Sequence, residues 1–214
     1  MDHDGYKLFS FPSPSGPWFT RIRQMMRTFP EVSDAIPISM DGAAEYPSIY
    51  YHPTIQLIVM QIVRAVRGCL ETACGREKMV TYVPGKFVYY THPHPAFPIS
   101  YWWRHMSYIR PPLVLPNLGV SARCFIVYFN MDPFANLEIN ICHGSHKTSD
   151  YPDGLPTNIV KATSPMVDDK GLVYETVTIP PNGVMLLDGR ALEYFRWRVP
   201  RFSNGAWMSF VLVV

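Results

Sequence analysis

Hydrophobic positions along the chain follow a helical period first and a strand period later. Between Pro53 and Cys74, Ile55, Ile58, Val59, Ile62, Val63, Val66 and Leu70 recur every three or four residues, while Gln61, Arg64, Arg67 and Glu71 take the other faces. That spacing predicts an amphipathic helix lying across a sheet, with Pro53 suited to its first turn and Gly75 to its stop. Trp18, Ile22, Met25, Met26 and Phe29 predict a shorter helix over 18–29. Ahead of it, 5–11 alternates apolar and polar residues as a first strand does, and Pro12, Pro14, Gly16 and Pro17 make a stiff loop. Residues 30–52 keep no period and read as a long irregular connection, either a lid over a pocket mouth or a dimer contact.

Beyond residue 79 the pattern turns to strands. They are predicted at 79–83, 86–91, 99–105, 121–129, 137–141, 172–179, 183–187, 193–198 and 205–214. Pro84-Gly85, Asp132-Pro133, Asp153-Gly154, Asp168-Asp169-Lys170-Gly171 and Asn182-Gly183 supply turns between them. Two helices followed by many strands predict a mostly β, α+β architecture: a jelly roll or barrel backed by helices. One domain over 1–214 is expected, its helical and loop part over about 1–78 and its barrel over about 79–214.

Composition narrows the function classes. Hydrophobic residues make up 48% and charged residues 17%, which suits a packed globular chain, and the 21 prolines favour short strands over long helices. The formal net charge of +2 offers no electrostatic case for nucleic acid. No run is long and apolar enough for a membrane span, and the opening Met-Asp-His-Asp-Gly lacks a secretory leader's basic and apolar regions, so a cytoplasmic setting is expected. Cys69, Cys74, Cys124 and Cys142 form no CxxC pair and read as small core residues. Arg190, Arg196, Arg198 and Arg201 interleave with Tyr194, Phe195 and Trp197. A solvated strand edge is the plainer reading, and an anion contact at a pocket mouth the sharper one.

Two segments carry a family resemblance. The stretch Asn136-Leu137-Glu138-Ile139-Asn140-Ile141-Cys142-His143-Gly144-Ser145-His146-Lys147 resembles the "N-G-x-L-x-x-x-P-G-S-H-K" segment of the phytanoyl-CoA dioxygenase family. The stretch from Pro181 to Glu193, with Asp188-Gly189-Arg190 inside it, is similar to that family's later "G-D-x-x-x-F-D-G-R-x-x-H" strand and turn. The Asp4-Gly5-Tyr6 strand followed by a helix is similar to its start. The resemblance implies a double-stranded β-helix and an iron(II)- and 2-oxoglutarate-dependent oxygenase. It also implies a His-x-Asp pair, a distant histidine and an arginine for the 2-oxoglutarate carboxylate. On these motifs the pair falls at His105-Met106-Ser107, with serine in place of aspartate, and the distant histidine falls at Glu193. The arginine is due near Gly205-Ala206-Trp207, where none stands, although Arg201 is close.

Other metal and nucleophile patterns are weaker. His92-Pro93-His94 has a cupin's HxH without its following glutamate, and reads as a proline-stiffened loop. In the matching family segment the histidine of the Gly-Ser-His-Lys turn does not bind iron, which removes His143 and His146 as ligands. Cys142 beside His143 on a strand points the other way, unfavourably for a nucleophile pair.

The functional expectation is therefore a metal-independent, non-oxidative enzyme that needs no cofactor and acts on a hydrophobic small molecule. A cyclase or pericyclase of Diels–Alder type in natural-product biosynthesis fits, because holding reacting ends together can supply up to about 7–11 kcal/mol. Tyr89, Tyr101, His105 and Ser107 are the candidate donors that would polarise a substrate carbonyl, and Glu193 is the base or orienting group. Tyr89, Trp103, Phe125, Phe129, Tyr194 and Trp207 are the candidate substrate contacts. Two alternatives stand beside it: an iron(II)/2-oxoglutarate oxygenase using His105, Glu193 and His92 or His94, and a non-catalytic binding protein.

Overall fold

The computed structural model describes residues 5–11, 15–28, 36–37, 43–45, 47–74, 80–90, 102–105, 123–147, 159–162, 173–195 and 205–214. Twelve strands and two helices lie within them: β1 Tyr6–Ser10, α1 Ser15–Thr28, β2 Ile36–Pro37, β3 Ala43–Glu45, α2 Pro53–Cys74, β4 Thr81–Tyr90 and β5 Trp102–His105. There follow β6 Cys124–Asn130, β7 Leu137–Cys142, β8 Ile159–Ala162, β9 Tyr174–Ile179, β10 Gly183–Asp188, β11 Leu192–Phe195 and β12 Gly205–Val213. Among the described residues no helix is long and apolar enough to cross a membrane.

The strands form two antiparallel sheets. The larger runs β1-β10-β6-β12-β4-β3-β2 and the smaller β8-β5-β11-β7-β9. Successive strands from β4 to β7 and from β9 to β12 alternate between the sheets, as a double-stranded β-helix requires. Every residue of β6 and β10 is buried, because the larger sheet is covered on both faces. Its outer face packs Phe87, Phe125, Val127, Phe129, Leu186, Met208 and Phe210 against Ile55, Ile58, Ile62, Val66 and Leu70 of α2 and Trp18, Ile22 and Met25 of α1. Burying each large aliphatic side chain of α2 contributes roughly 1.5–3 kcal/mol before chain entropy is subtracted. Its inner face packs Val88, Ile126, Tyr128, Met185, Leu187 and Trp207 against Leu137, Ile139, Ile141, Val177 and Ile179 of the smaller sheet.

α2 starts and ends at the residues its periodicity predicts. The His52 carbonyl accepts from the Ile55 and Gln56 amides, and His52 Nδ1 accepts from the Thr54 amide at 3.2 Å, capping the helix. The structure departs from the sequence expectation elsewhere. The connection over 30–52 carries two short strands, β2 and β3, and a 3-10 turn over Pro47–Tyr51. Pro84-Gly85 is not a turn but lies inside the single strand β4, at a bulge where Gly85 and Lys86 stand opposite Ser209 of β12. The extra residue lets Tyr82 and Phe87, five apart, both reach the helix-side core. A Cβ on Gly85 would lie 2.3 Å from the Ser209 carbonyl oxygen, so this close approach requires glycine. The Tyr50 hydroxyl donates to that same carbonyl and lies 3.1 Å from the carbonyl of Lys86. The Asp153-Gly154 and Asp168–Gly171 turns lie outside the described residues.

Candidate active site

The polar centre of the barrel interior is a pair of side chains from facing sheets. Glu193 is the second residue of β11 and pairs with Ile141 of β7 on one side and Trp103 of β5 on the other. Glu193 is 4% exposed. Tyr128 comes from the middle of β6, where alternation sends Phe125, Val127 and Phe129 outward and Ile126 and Tyr128 inward. The Tyr128 hydroxyl donates to Glu193 Oε2 at 2.6 Å, a short, charge-assisted hydrogen bond in a buried setting. Burial, and then the neighbouring Glu193 carboxylate, hold the Tyr128 hydroxyl well above its ordinary pKa, so it remains a neutral donor. Among the described residues, the inner face also carries the apolar Met185, Leu187, Ile139, Ile141, Ala191 and Trp207.

Glu193 is set in place by the turn before it. The buried Asp188 carboxylate at the end of β10 accepts from Arg123 Nη2 at 2.7 Å, from Arg190 Nε and Nη2 at 3.0 Å, and from the Arg190 amide at 3.0 Å. Arg123 also donates from Nη1 to the Ala73 carbonyl near the end of α2. Burial pushes the Asp188 carboxyl up, but hydrogen bonds from Arg190 and Arg123 outweigh it and hold the group below the usual aspartate range. The Asp-Gly-Arg segment singled out in the sequence is thus a clamp that fixes where β11 begins. Arg190 is committed to it, whereas Arg196, Arg198 and Arg201 lie outside the described residues.

The structure divides the predicted site residues. Glu193 and Trp207 face the interior. Phe125 and Phe129 do not: both are fully buried in the core between the larger sheet and the helices. Tyr89 packs against that same helix-side core, with Arg23 and Arg27 of α1 near enough to act on its hydroxyl. All three, expected as substrate contacts, lie on the helical face, because each strand sends alternate residues to opposite faces. For His105, Trp103 and Tyr194 the structure gives backbone pairing: Trp103 lies opposite Glu193, His105 opposite Ile159, and Tyr194 opposite Asn140. Tyr101, Ser107, His92 and His94 lie outside the described residues. His143 is exposed in a turn, and His146 is buried against Gly5, whose φ of +76° only glycine adopts readily. No disulfide joins the four cysteines, and burial together with Asp188 pushes the Cys124 thiol up to about 11. Sequence reasoning missed Tyr128 as Glu193's partner; its inward parity was readable only once the strand's two faces were told apart.

No protein-family model matches the chain, and no curated protein sequence matches it. Solved structures do match its fold. HygX from Streptomyces hygroscopicus, solved with nickel, 2-oxoglutarate and hygromycin B, superposes with a TM-score of 0.59 at 14% identity, over 99% of this chain and 83% of that one. The epimerase SnoN, in complex with Fe3+, alpha ketoglutarate and nogalamycin RO, gives 0.62 at 12% identity, over 98% of this chain and 79% of that one. SnoK, a non-heme alpha ketoglutarate dependent carbocyclase from nogalamycin biosynthesis, gives 0.55 at 10% identity, over 99% and 79%. The chain therefore has the double-stranded β-helix fold of 2-oxoglutarate-dependent enzymes.

The fold raises the question of iron. Among the described residues, no three His, Cys, Asp or Glu side chains gather closely enough to hold a metal ion. The residue at the distant-histidine position is a carboxylate already engaged by a tyrosine. The inward-directed residue near the start of β12, where a carboxylate-binding arginine is due, is Trp207. Of the positions the resemblance assigns to iron and 2-oxoglutarate, Glu193 and the start of β12 are described and offer a carboxylate and an indole in place of a histidine and an arginine; the His105 side chain and residues 106–107 lie outside the described ones.

Proposed function

We propose that the chain is a divergent relative of the phytanoyl-CoA dioxygenase family that works as a non-oxidative, metal-independent enzyme on a hydrophobic small molecule, most simply a cyclase or pericyclase of Diels–Alder type in natural-product biosynthesis. The observation that carries this reading is the buried Tyr128–Glu193 hydrogen bond at the position where the family resemblance expects an iron-binding histidine. A carboxylate held by a neutral tyrosine is an orienting or proton-accepting group, and the apolar residues described on the inner face suit a folded apolar substrate. The reaction would draw its rate from holding the reacting ends in contact and from polarising one of them through a hydrogen-bond donor. His105, Tyr101 and Ser107 are the proposed donors, on or next to β5, the strand that runs beside Glu193. Two enzymes of the same fold, SnoN and SnoK, are described as an epimerase and a carbocyclase, which supports skeletal or stereochemical rearrangement as a chemistry this architecture can host.

The test is a metal analysis of protein purified without chelator, followed by calorimetric titration of iron(II) with 2-oxoglutarate present. The expected result is no stoichiometric binding and no conversion of 2-oxoglutarate. Tight one-to-one binding with 2-oxoglutarate turnover would overturn the proposal and make the chain an oxygenase with an atypical metal site.

A further inference from the structure

Both helices cover the outer face of the larger sheet, so the sides they turn away from it share one surface of the molecule. On α1 the buried Trp18, Ile22 and Met25 fix the inward side, and Arg23 and Arg27 stand opposite them, one turn apart and exposed. On α2 the buried Ile55, Ile58, Ile62 and Val66 leave Leu57, Met60 and Arg64 on the outward side. A helix facing water ordinarily carries polar residues at such positions. Here Leu57 is 43% and Met60 51% exposed, and Tyr51, in the 3-10 turn just ahead of α2, is 80% exposed. Charge is concentrated on the same surface. α1 contains no acidic residue, and the single one of α2, Glu71, is paired with Arg67 at 3.0 Å. Among the other described carboxylates, Asp132, Asp188 and Glu193 are buried, while Glu138 and Glu175 belong to the smaller sheet, across the larger one from the helices. The whole chain carries a formal charge of only +2, so its positive charge is gathered on the helical side and not spread evenly.

We infer that the outward side of α1 and α2 docks reversibly on an anionic lipid surface, with Arg23, Arg27 and Arg64 at the headgroup phosphates and Leu57, Met60 and Tyr51 at the boundary with the acyl chains. The mixture of side chains favours lipid over an acidic protein. Either partner would neutralise the arginines, but exposed aliphatic residues flanked by cations and a tyrosine are the composition of a helix that lies in a membrane interface. Each arginine near an anionic leaflet strengthens binding, and so few apolar side chains hold weakly by themselves. Association therefore requires anionic lipid and stays reversible. Such docking is independent of the reaction in the barrel and of any metal there.

The test is co-sedimentation of the full chain with vesicles of phosphatidylcholine alone and of phosphatidylcholine mixed equally with phosphatidylglycerol, at about 0.1 M salt. Partitioning onto the mixed vesicles should exceed that onto the neutral ones roughly a hundredfold, and should fall steeply by about 0.5 M salt as the attraction is screened. The double variant Arg23→Glu/Arg27→Glu should lower binding to the mixed vesicles by about tenfold or more. Leu57→Gln/Met60→Gln should lower it severalfold while keeping the salt dependence. All four positions are exposed, and circular dichroism checks the fold of each variant. The wild-type comparison of the two vesicles decides the matter even if a variant does not fold. Equal binding to neutral and mixed vesicles, binding to neither, or mixed-vesicle binding that either folded variant leaves unchanged overturns the inference. Capture by immobilised poly-L-glutamate without capture by the mixed vesicles also overturns it, and is the result expected of a surface built for an acidic protein.

Discussion

Replacing Asp188 by asparagine removes a charge from the centre of the clamp while keeping its shape. Asp188 is 1% exposed, and its two arginine partners are 31% and 35% exposed in their side chains. Breaking a fully buried ion pair typically costs about 3–5 kcal/mol, because the remaining charge is stranded. Here each stranded guanidinium is about one-third in water, which discounts that range. Asparagine also keeps an oxygen for the Arg190 amide, so the expected loss is roughly 2–3 kcal/mol. The effect has a pH signature. The folded-state pKa of Asp188 is lowered from 3.8, so its stabilisation is fully present above that unfolded value and is lost as pH falls through the lower folded one. Urea unfolding of wild type and Asp188→Asn, followed by tryptophan fluorescence, should therefore show the full gap at about pH 7 and a narrowing gap below about pH 4. A gap under about 0.5 kcal/mol at neutral pH would refute the reasoning. So would a full gap that stays constant down to about pH 3.

Gly85→Ala should lower the melting temperature substantially, because its Cβ would meet the Ser209 backbone carbonyl and the bulge cannot relax without shifting β12; a cost of about 1–3 kcal/mol is expected from thermal unfolding. Phe129→Ala should cost roughly 3–5 kcal/mol in urea unfolding, since Phe129 is fully buried against the helices. Tyr128→Phe should cost about 1.5–3 kcal/mol by deleting a hydrogen bond to a charged group, and Tyr128→Phe in a Glu193→Gln background should cost clearly less, which a double-mutant cycle measures.

The sequence by itself determined the elements whose period has a single reading. α2 was legible to the residue because seven apolar side chains keep one helical face over about four turns, and α1, β1, β7, β9, β10 and β12 followed from period and turn chemistry within a few residues. The double-stranded β-helix was legible in the order of the elements and the two family-like segments. What the sequence could not decide was which side of each strand faces which core. In a strand half exposed to water, the polar residues mark the outer face. β6 and β10 are buried throughout, with helices behind one face and the smaller sheet before the other, so their alternation leaves no polar mark. Phe125 and Phe129 therefore looked as suited to a ligand as Trp207, and only the tertiary packing separated them. The bulge at Gly85 was hidden for a related reason: Pro84-Gly85 ordinarily ends a strand, and the continued pairing of β4 depends on Ser209 and Tyr50, distant in sequence and adjacent in space. Glu193 was readable as a departure from a family pattern. Its hydrogen bond to Tyr128, sixty-five residues away, exists only because the two sheets close face to face.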